Sequence, residues 1–181
     1  MYPAMNFCSA CGSKVMLKIP PGDALLRHVC DACGTIHYQN PRLVVGALPV
    51  WGEQILLCRR AIEPSHGKWT LPAGFMENGE SVADAAIRET LEEACARIEL
   101  GPIFSLISVP HINQVHVIYL ARLLDLDFAA GVETLELRLF DEAEIPWDEI
   151  AFRTISNTLR HFFADRMHGD FGFHTEAIVP M

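Results

Sequence analysis

The stretch Gly74–Ala96 reads GFMENGESVADAAIRETLEEACA, and its centre is Arg88-Glu89-Thr90-Leu91-Glu92-Glu93. On a helix of about 3.6 residues per turn, Glu89, Glu92 and Glu93 stand at i, i+3 and i+4 and project from one face. Like charges so spaced repel and weaken the helix. A divalent cation reverses that penalty. Mg2+ and Mn2+ favour oxygen ligands, and Mg2+ is commonly held by one or two carboxylates together with substrate phosphates. The cluster therefore points to a site for a phosphate-bound metal. The plainer alternative is a solvated acidic helix face. It does not account for Gly74, Glu80 and Arg88 at their spacings.

A second feature lies upstream. Cys8-Ser-Ala-Cys11 and Cys30-Asp-Ala-Cys33 form two C-x2-C knuckles with 18 residues between them. The spacing suits a tetrahedral four-thiolate zinc site. A pair of disulfides is the alternative, but no signal peptide precedes the cysteines, so a reducing, cytoplasmic location is expected. Zinc closed on four protein ligands has no open position for substrate, so the ion is expected to be structural. A module this short buries little core and needs such a metal to fold. Lys14, Lys18, Arg27, His28 and His37 make only a thin basic patch on it.

The 23-residue stretch resembles the Nudix box, Gly-x5-Glu-x7-Arg-Glu-U-x-Glu-Glu-x-Gly-U, where U is bulky and aliphatic. Gly74, Glu80, Arg88, Glu89, Glu92 and Glu93 fall in register, whereas Thr90 and Ala96 replace aliphatic residues and Cys95 replaces the glycine. The departures touch packing and the helix exit and leave every carboxylate in place. The resemblance implies an α/β/α sandwich with a mixed sheet, the box forming a loop–helix–loop. It also implies a metal-dependent hydrolase of diphosphate bonds. Glu89, Glu92 and Glu93 are the candidate Mg2+ or Mn2+ ligands, with the Gly74 carbonyl as a further ligand. Glu92 or Glu93 would also take a proton from water. By the same resemblance Arg88 and Glu80 orient the metal-binding glutamates, and a glutamate of a later loop joins them as ligand or base. Glu133 is the choice for that role, with Glu136 as its competitor.

The chain is 181 residues long, half of them hydrophobic, with 14 Lys and Arg against 23 Asp and Glu, a formal charge of −9. The length fits one ordinary domain plus a small module. The expected division is a zinc ribbon at 1–40, the catalytic domain at 41–168 and a tail at 169–181 without clear pattern. The acidic balance argues against bulk binding to DNA or RNA, whose phosphates are repelled. A small nucleotide is still admissible, because bound metal reverses the local field. No apolar run reaches the roughly 18 residues of a membrane span. Cys58 and Cys95 sit among apolar residues and read as buried packing positions.

Element by element, Leu43–Val50 and Gln54–Cys58 read as antiparallel strands joined at Trp51-Gly52-Glu53. Trp69–Leu71, Ile98–Val109, Val115–Leu124 and Leu135–Phe140 read as further strands. The box helix starts at Ser81, with Asp84 in a capping-box role and Val82, Ala85, Ala86 and Ile87 as its apolar face. Asp148–His168 reads as a last helix with Gly169 as its stop.

Substrate choice rests on resemblance. Zinc-ribbon members of the family include NADH pyrophosphatases with a downstream SQPWPFPxS signature, and here that region reads Ser108-Val-Pro-His-Ile-Asn-Gln-Val-His116. Pro110 lies 14 residues past Ala96, close to the proline of ADP-ribose hydrolysing members. The layout is Tyr38-Gln-Asn-Pro41, then Pro64-Ser-His-Gly-Lys-Trp-Thr-Leu-Pro-Ala-Gly74, then Phe140–Phe152. It resembles the FAD- and ADP-ribose-cleaving diphosphatases of plant chloroplasts. The expected reaction is cleavage of FAD or ADP-ribose to AMP plus FMN or ribose 5-phosphate. NADH pyrophosphatase activity is the alternative, as is a nucleotide-sensing regulator binding a partner through its ribbon. Trp69, Phe75, Phe104 and His111 are aromatic candidates for ring stacking, with core packing as the competing role. His66 and His116 are candidates for phosphate contact. A homodimer is expected by analogy with the family.

Overall fold

The computed structural model describes residues 5–180, which form two compact units divided between Pro41 and Arg42. The first unit is a small antiparallel sheet of β1 (Val15–Lys18), β2 (Arg27–Cys30) and β3 (Ile36–His37), in the order β1-β2-β3. Each cysteine knuckle closes the same way. Gly12 N–H donates to the Cys8 carbonyl at 2.9 Å and Gly34 N–H to the Cys30 carbonyl at 2.8 Å. Both glycines are left-handed, at φ 74° and 76°, a conformation that costs a side-chain-bearing residue energy.

The second unit is built on one mixed sheet. Its strands are β4 (Arg42–Trp51), β5 (Gln54–Arg60), β6 (Trp69–Thr70), β7 (Ala73–Phe75), β8 (Ile98–Val109), β9 (Gln114–Leu123), β10 (Thr134–Phe140) and β11 (His174–Ala177). The order is β10-β5-β4-β9-β8-β11, with β6 on β5 and β7 on β4. β4 runs parallel to β9 and β11 parallel to β8, while the other pairs are antiparallel. Two helices, α1 (Val82–Ala94) and α2 (Arg153–His168), cover the sheet. Alternation along β4 sends Val45 to a core with Ala85 and Ala86 of α1, and Leu48 to a core with Ile155, Leu159, Phe162 and Phe163 of α2. Side chains three apart on a strand face opposite ways, so the helices pack on opposite faces and the fold is an α/β/α sandwich.

The entry to α1 is as the sequence predicts. Ser81 Oγ accepts from Asp84 N–H at 3.1 Å, and Asp84 Oδ2 accepts from Ser81 N–H at 3.3 Å. Ala85 and Ala86 are buried as expected, whereas Ile87 is exposed on the other side. Thr90 is fully buried in place of an aliphatic residue, its hydroxyl donating to the Ala86 carbonyl at 2.8 Å. Cys95 is a correction. It is exposed and caps the helix in the left-handed conformation at φ 47°, which explains why a glycine suits that position. Cys58 is buried as expected, and burial pushes its thiol well above the usual range.

Three further differences have local causes. The last helix begins at Arg153 instead of Asp148. Trp147–Glu149 is a separate 3-10 turn, and Ile150 is held extended by a bridge to Trp69, with Ala151 N–H on the Trp69 carbonyl at 2.8 Å. The expected tail contains β11, which pairs with Ser105–Ser108. The short β7 closes on Val44–Gly46, where Gly46 lets the chains approach. A Cβ there would lie 2.3 Å from the Pro72 carbonyl oxygen.

Gly131 fixes the loop before β10 against the end of α1. Its N–H donates to the Glu93 carbonyl at 3.0 Å, and a Cβ on it would lie 1.8 Å from the Glu92 carbonyl oxygen. Gly131→Ala is expected to destabilise the fold by about 3 kcal/mol, because backbone on both sides must separate. A urea melt with an unchanged midpoint would contradict this packing.

Candidate functional site

β7 and α1 face one another across the box, and their contact sets the acidic residues. Arg88 is the centre. Its Nε and Nη2 hold Glu80 at 3.0 and 2.8 Å, its Nη1 holds Glu89 at 2.7 Å and Glu92 at 3.1 Å, and Nη2 also donates to the Phe75 carbonyl at 3.2 Å. Glu80 is held down to about 2 by the Arg88 guanidinium and by the Glu77 N–H. Such fork-like pairing fixes geometry as well as charge.

Glu93 is 7% exposed and accepts Ala73 N–H at 3.1 Å through Oε2. Burial raises its carboxyl to about 7, against the pull of that N–H, and the charges of Glu89 and Glu133 push the same way. Glu89 is 8% exposed and is likewise raised, first by burial and against the pull of Arg88. Gly74 is small for a visible reason. A Cβ there would sit 2.3 Å from the Glu89 carboxylate. Glu92 is more open, its side chain 59% exposed. Each of these three glutamates gives one oxygen to a protein donor, and the other has no partner among the described residues. Oxygen donors, partial burial and mutual repulsion suit a hard divalent cation.

Glu89, Glu92, Glu93, Arg88, Gly74 and Glu133 all line one cleft of about 1030 Å³, ample for a dinucleotide-sized ligand. Glu136 is not among its lining residues and pairs instead with Arg59 at 3.3 Å. A bulge between Thr134 and Glu136 separates the two acids. Phe75 and His111 line the cleft, and the Arg42 guanidinium lies 4.3 Å from the Phe75 ring centre. Trp69 and Phe104 are core residues, Trp69 meeting Phe140 edge-on at 4.9 Å. His66 lies outside the cleft lining, whereas His116 lines it. His116 is buried, pairs with Gln114 at 3.0 Å, and is kept neutral down to about 4 by burial.

Sequence reading missed Gln114, Arg60, Phe152, Thr154 and the 178–180 segment, which also form the walls. The alternation of β9 is a signal for Gln114, since it shares a face with His116. The 178–180 segment reaches the cleft only through the parallel pairing of β11, which leaves no local pattern.

In the first unit the four cysteine sulfurs lie within 4.8 Å of one another, the one such cluster of potential metal ligands among the described residues. Cys8 and Cys33 Sγ are 3.6 Å apart, and Cys11 and Cys30 Sγ 3.5 Å. Thiolates around tetrahedral zinc stand about 3.8 Å apart, given a Zn–S bond of about 2.3 Å. All four cysteines are unpaired thiols, so the disulfide alternative falls away. Ala10 N–H points at Cys8 Sγ at 3.4 Å, and His37 Nε2 lies 3.3 Å from the same sulfur. A strong chelator is expected to open residues 1–41 to protease while 42–181 stays resistant. Equal resistance of both units would contradict a metal-held ribbon.

An α/β/α sandwich carrying a glutamate-lined loop–helix–loop on its sheet defines a hydrolase of the diphosphate-cleaving class. Residues 6–39 match the zinc ribbon described as Nudix N-terminal and residues 40–165 match the NUDIX domain, so the chain belongs to the Nudix family. Enzymes of this family use divalent metals. A crystal structure of a NUDIX hydrolase from Nitrosomonas europaea is similar throughout. It is 55% identical with a TM-score of 0.93, covering 96% of this chain and 99% of that one. An ADP-ribose pyrophosphatase of Methanocaldococcus jannaschii is 31% identical over 113 residues, 60% of this chain and 67% of that protein. An NAD-capped RNA hydrolase, NudC, of Chromobacterium violaceum is 30% identical over 98 residues. The match takes in 54% of this chain and 35% of that protein, so the chain spans about a third of that relative's length. No helix among the described residues is long and apolar enough to cross a membrane.

Proposed function

We propose that the chain hydrolyses the diphosphate bond of ADP-ribose or FAD, using Mg2+ or Mn2+ at Glu89, Glu92, Glu93 and the Gly74 carbonyl. The observation that carries this reading is that three glutamates on one helix face line a roomy cleft, each with one oxygen that has no partner among the described residues. When bound, the cation neutralises the phosphate oxygens and acidifies the attacking water. Arg88 and Glu80 hold Glu89 and Glu92 in place, and Gly74 keeps the backbone close to Glu89. The glutamate oxygens do not converge as the four thiols do, and Glu89, Glu92 and Glu93 are the residues that would hold the cation. Water adds to one phosphorus, the bridging P–O bond breaks, and the proton of the water passes to one of Glu92, Glu93 or Glu133. The products are two phosphate monoesters, AMP and either ribose 5-phosphate or FMN.

The FAD arm rests on the layout shared with the plant chloroplast diphosphatases, and the ADP-ribose arm also on the Methanocaldococcus relative. A second reading is supported equally by the NudC relatives, namely cleavage of NADH or of a nicotinamide nucleotide cap. The decisive measurement is phosphate release, coupled to a phosphatase, over FAD, ADP-ribose, NADH and capped nucleotides with Mg2+ or Mn2+. The highest kcat/KM on FAD or ADP-ribose is expected. No release from any of the four would end the diphosphatase reading. A dimer is proposed by family analogy, and sedimentation of a monomer alone would refute it.

A further inference from the structure

Gln114 and His116 stand two apart on β9, so their side chains share one face of the sheet, and both line the cleft. His116 Nε2 lies 3.0 Å from Gln114 Oε1. An amide oxygen only accepts, so the ring proton sits on Nε2 and Nε2–H is the donor. Burial keeps the ring neutral down to about 4, which leaves Nδ1 a bare acceptor at neutral pH. The same bond turns the Gln114 amide, its oxygen toward His116 and its N–H2 group away. Neither His116 Nδ1 nor Gln114 Nε2 has a partner among the described residues. Thr154 Oγ1 is the side-chain atom among them that is both partnerless and closed to solvent. The two atoms of the pair therefore keep open surface, and the cleft is the space their residues line.

The sheet register places the pair. His116 is level with Val44 of β4, and Val44 is level with Phe75 of β7. Residues level across a sheet point the same way. Phe75, Val44 and His116 thus make one row, about 10 Å from end to end at the usual strand spacing. The row starts beside Gly74, which packs on the Glu89 carboxylate. It runs from an exposed aromatic ring across an apolar side chain to a donor set beside an acceptor. A bare acceptor repels phosphate oxygens, so the pair belongs to another part of the substrate. We infer that the Gln114–His116 pair reads the adenine of the substrate, Gln114 Nε2–H donating to a ring nitrogen and His116 Nδ1 accepting from the exocyclic amino group. Adenine matches because it sets an amino donor beside ring-nitrogen acceptors. Hypoxanthine has a carbonyl oxygen in place of that amino group and turns acceptor against acceptor at Nδ1. The inference rests on the diphosphatase reading and deepens it. FAD and ADP-ribose both carry adenine, and ADP-ribose carries no other base. The carboxamide of nicotinamide presents the same donor and acceptor, and the test separates the two rings.

ADP-ribose and its inosine counterpart differ at that edge of the base alone. The native enzyme is expected to favour ADP-ribose by about thirtyfold in kcat/KM, the middle of the range for a two-point base contact. Parity, or a preference for the inosine compound, overturns the inference. Gln114→Glu keeps an acceptor for His116 Nε2–H and removes the donor. Its ratio is expected to fall to about one, the change being carried by KM. An unchanged ratio in this variant overturns the contact. Calorimetry of AMP against IMP, and of nicotinamide mononucleotide against nicotinic acid mononucleotide, repeats the comparison on the native protein without turnover. Tighter binding of AMP than of IMP upholds the inference even if every diphosphate resists hydrolysis. Equal binding of AMP and IMP overturns it, and discrimination confined to the nicotinamide pair assigns the contact to the other ring, which overturns it too.

Discussion

Glu93→Gln and Glu92→Gln are each expected to lower kcat about a thousandfold, roughly 4 kcal/mol of transition-state stabilisation, while the protein stays folded. The two residues lose charge without losing shape. A glutamine at position 93 still presents a carbonyl oxygen to Ala73 N–H, the contact that Glu93 Oε2 makes at 3.1 Å. Glu92 is on the open side of α1, where its protein contact is Arg88 Nη1 at 3.1 Å. Neither change opens a cavity, so circular dichroism should resemble that of the native protein, as should the urea midpoint near pH 4.5. What disappears is negative charge at the cleft, with it cation affinity and a proton acceptor. Titrating Mn2+ separates the two roles. Recovery at high metal marks a ligand, and loss at saturation marks a group that handles the proton. Full activity in both variants would remove the glutamates from the proposed mechanism.

The second large effect is a pH-dependent stability of the metal-free protein. Glu93 titrates near 7 when folded, against 4.5 as a free carboxyl. Between those values the native state holds a proton that the unfolded chain has lost. Stability therefore falls as pH rises through this window, and the full penalty is present above about 7. A shift of this size corresponds to roughly 3 kcal/mol. Glu89 acts in the same direction. His116 opposes them. Burial keeps it neutral down to about 4, against 6.5 when free, so its contribution is lost as pH falls through that range. A raw stability curve mixes both slopes, and a comparison of variants separates them. Glu93→Gln should match the native protein near pH 4.5 and exceed its stability at pH 8 by most of that amount. Mn2+ at pH 8 should raise the melting temperature of the native protein more than that of the variant. Parallel curves for the two proteins from pH 4.5 to 8 would show that Glu93 is not a strained buried acid.

The carboxylates were legible in the sequence because chemistry dictates their spacing. Glu89, Glu92 and Glu93 need one helix face, and Ser81 and Asp84 announce where that helix begins. The cysteine knuckles are legible for the same reason. The longer strands follow from their apolar runs, Ile98–Val109 to the residue. Other features depend on contacts distant in sequence. Nothing local marks Ala73–Phe75 as a strand, because three residues have no period and their partner is Val44–Gly46. The start of α2 depends on Trp69 holding Ile150 and Ala151 in extended form. Glu133 and Glu136 are equivalent in sequence, and a bulge in β10 sends only the first to the cleft. Cys95 looks apolar by its neighbours, yet it occupies a left-handed cap facing solvent. Thr154 is one more threonine in a helix until its hydroxyl is found buried and without a partner among the described residues.

The parallel pairing of β11 on β8 runs on through Ile178, whose N–H donates to the Ser108 carbonyl at 2.8 Å, and brings residues 178–180 to the cleft wall. This stretch is thus part of the wall of the cleft proposed to take the substrate. An affinity tag fused just beyond it would hang over the rim and weigh on the kinetics, so rate constants are best taken from protein that carries its purification handle elsewhere.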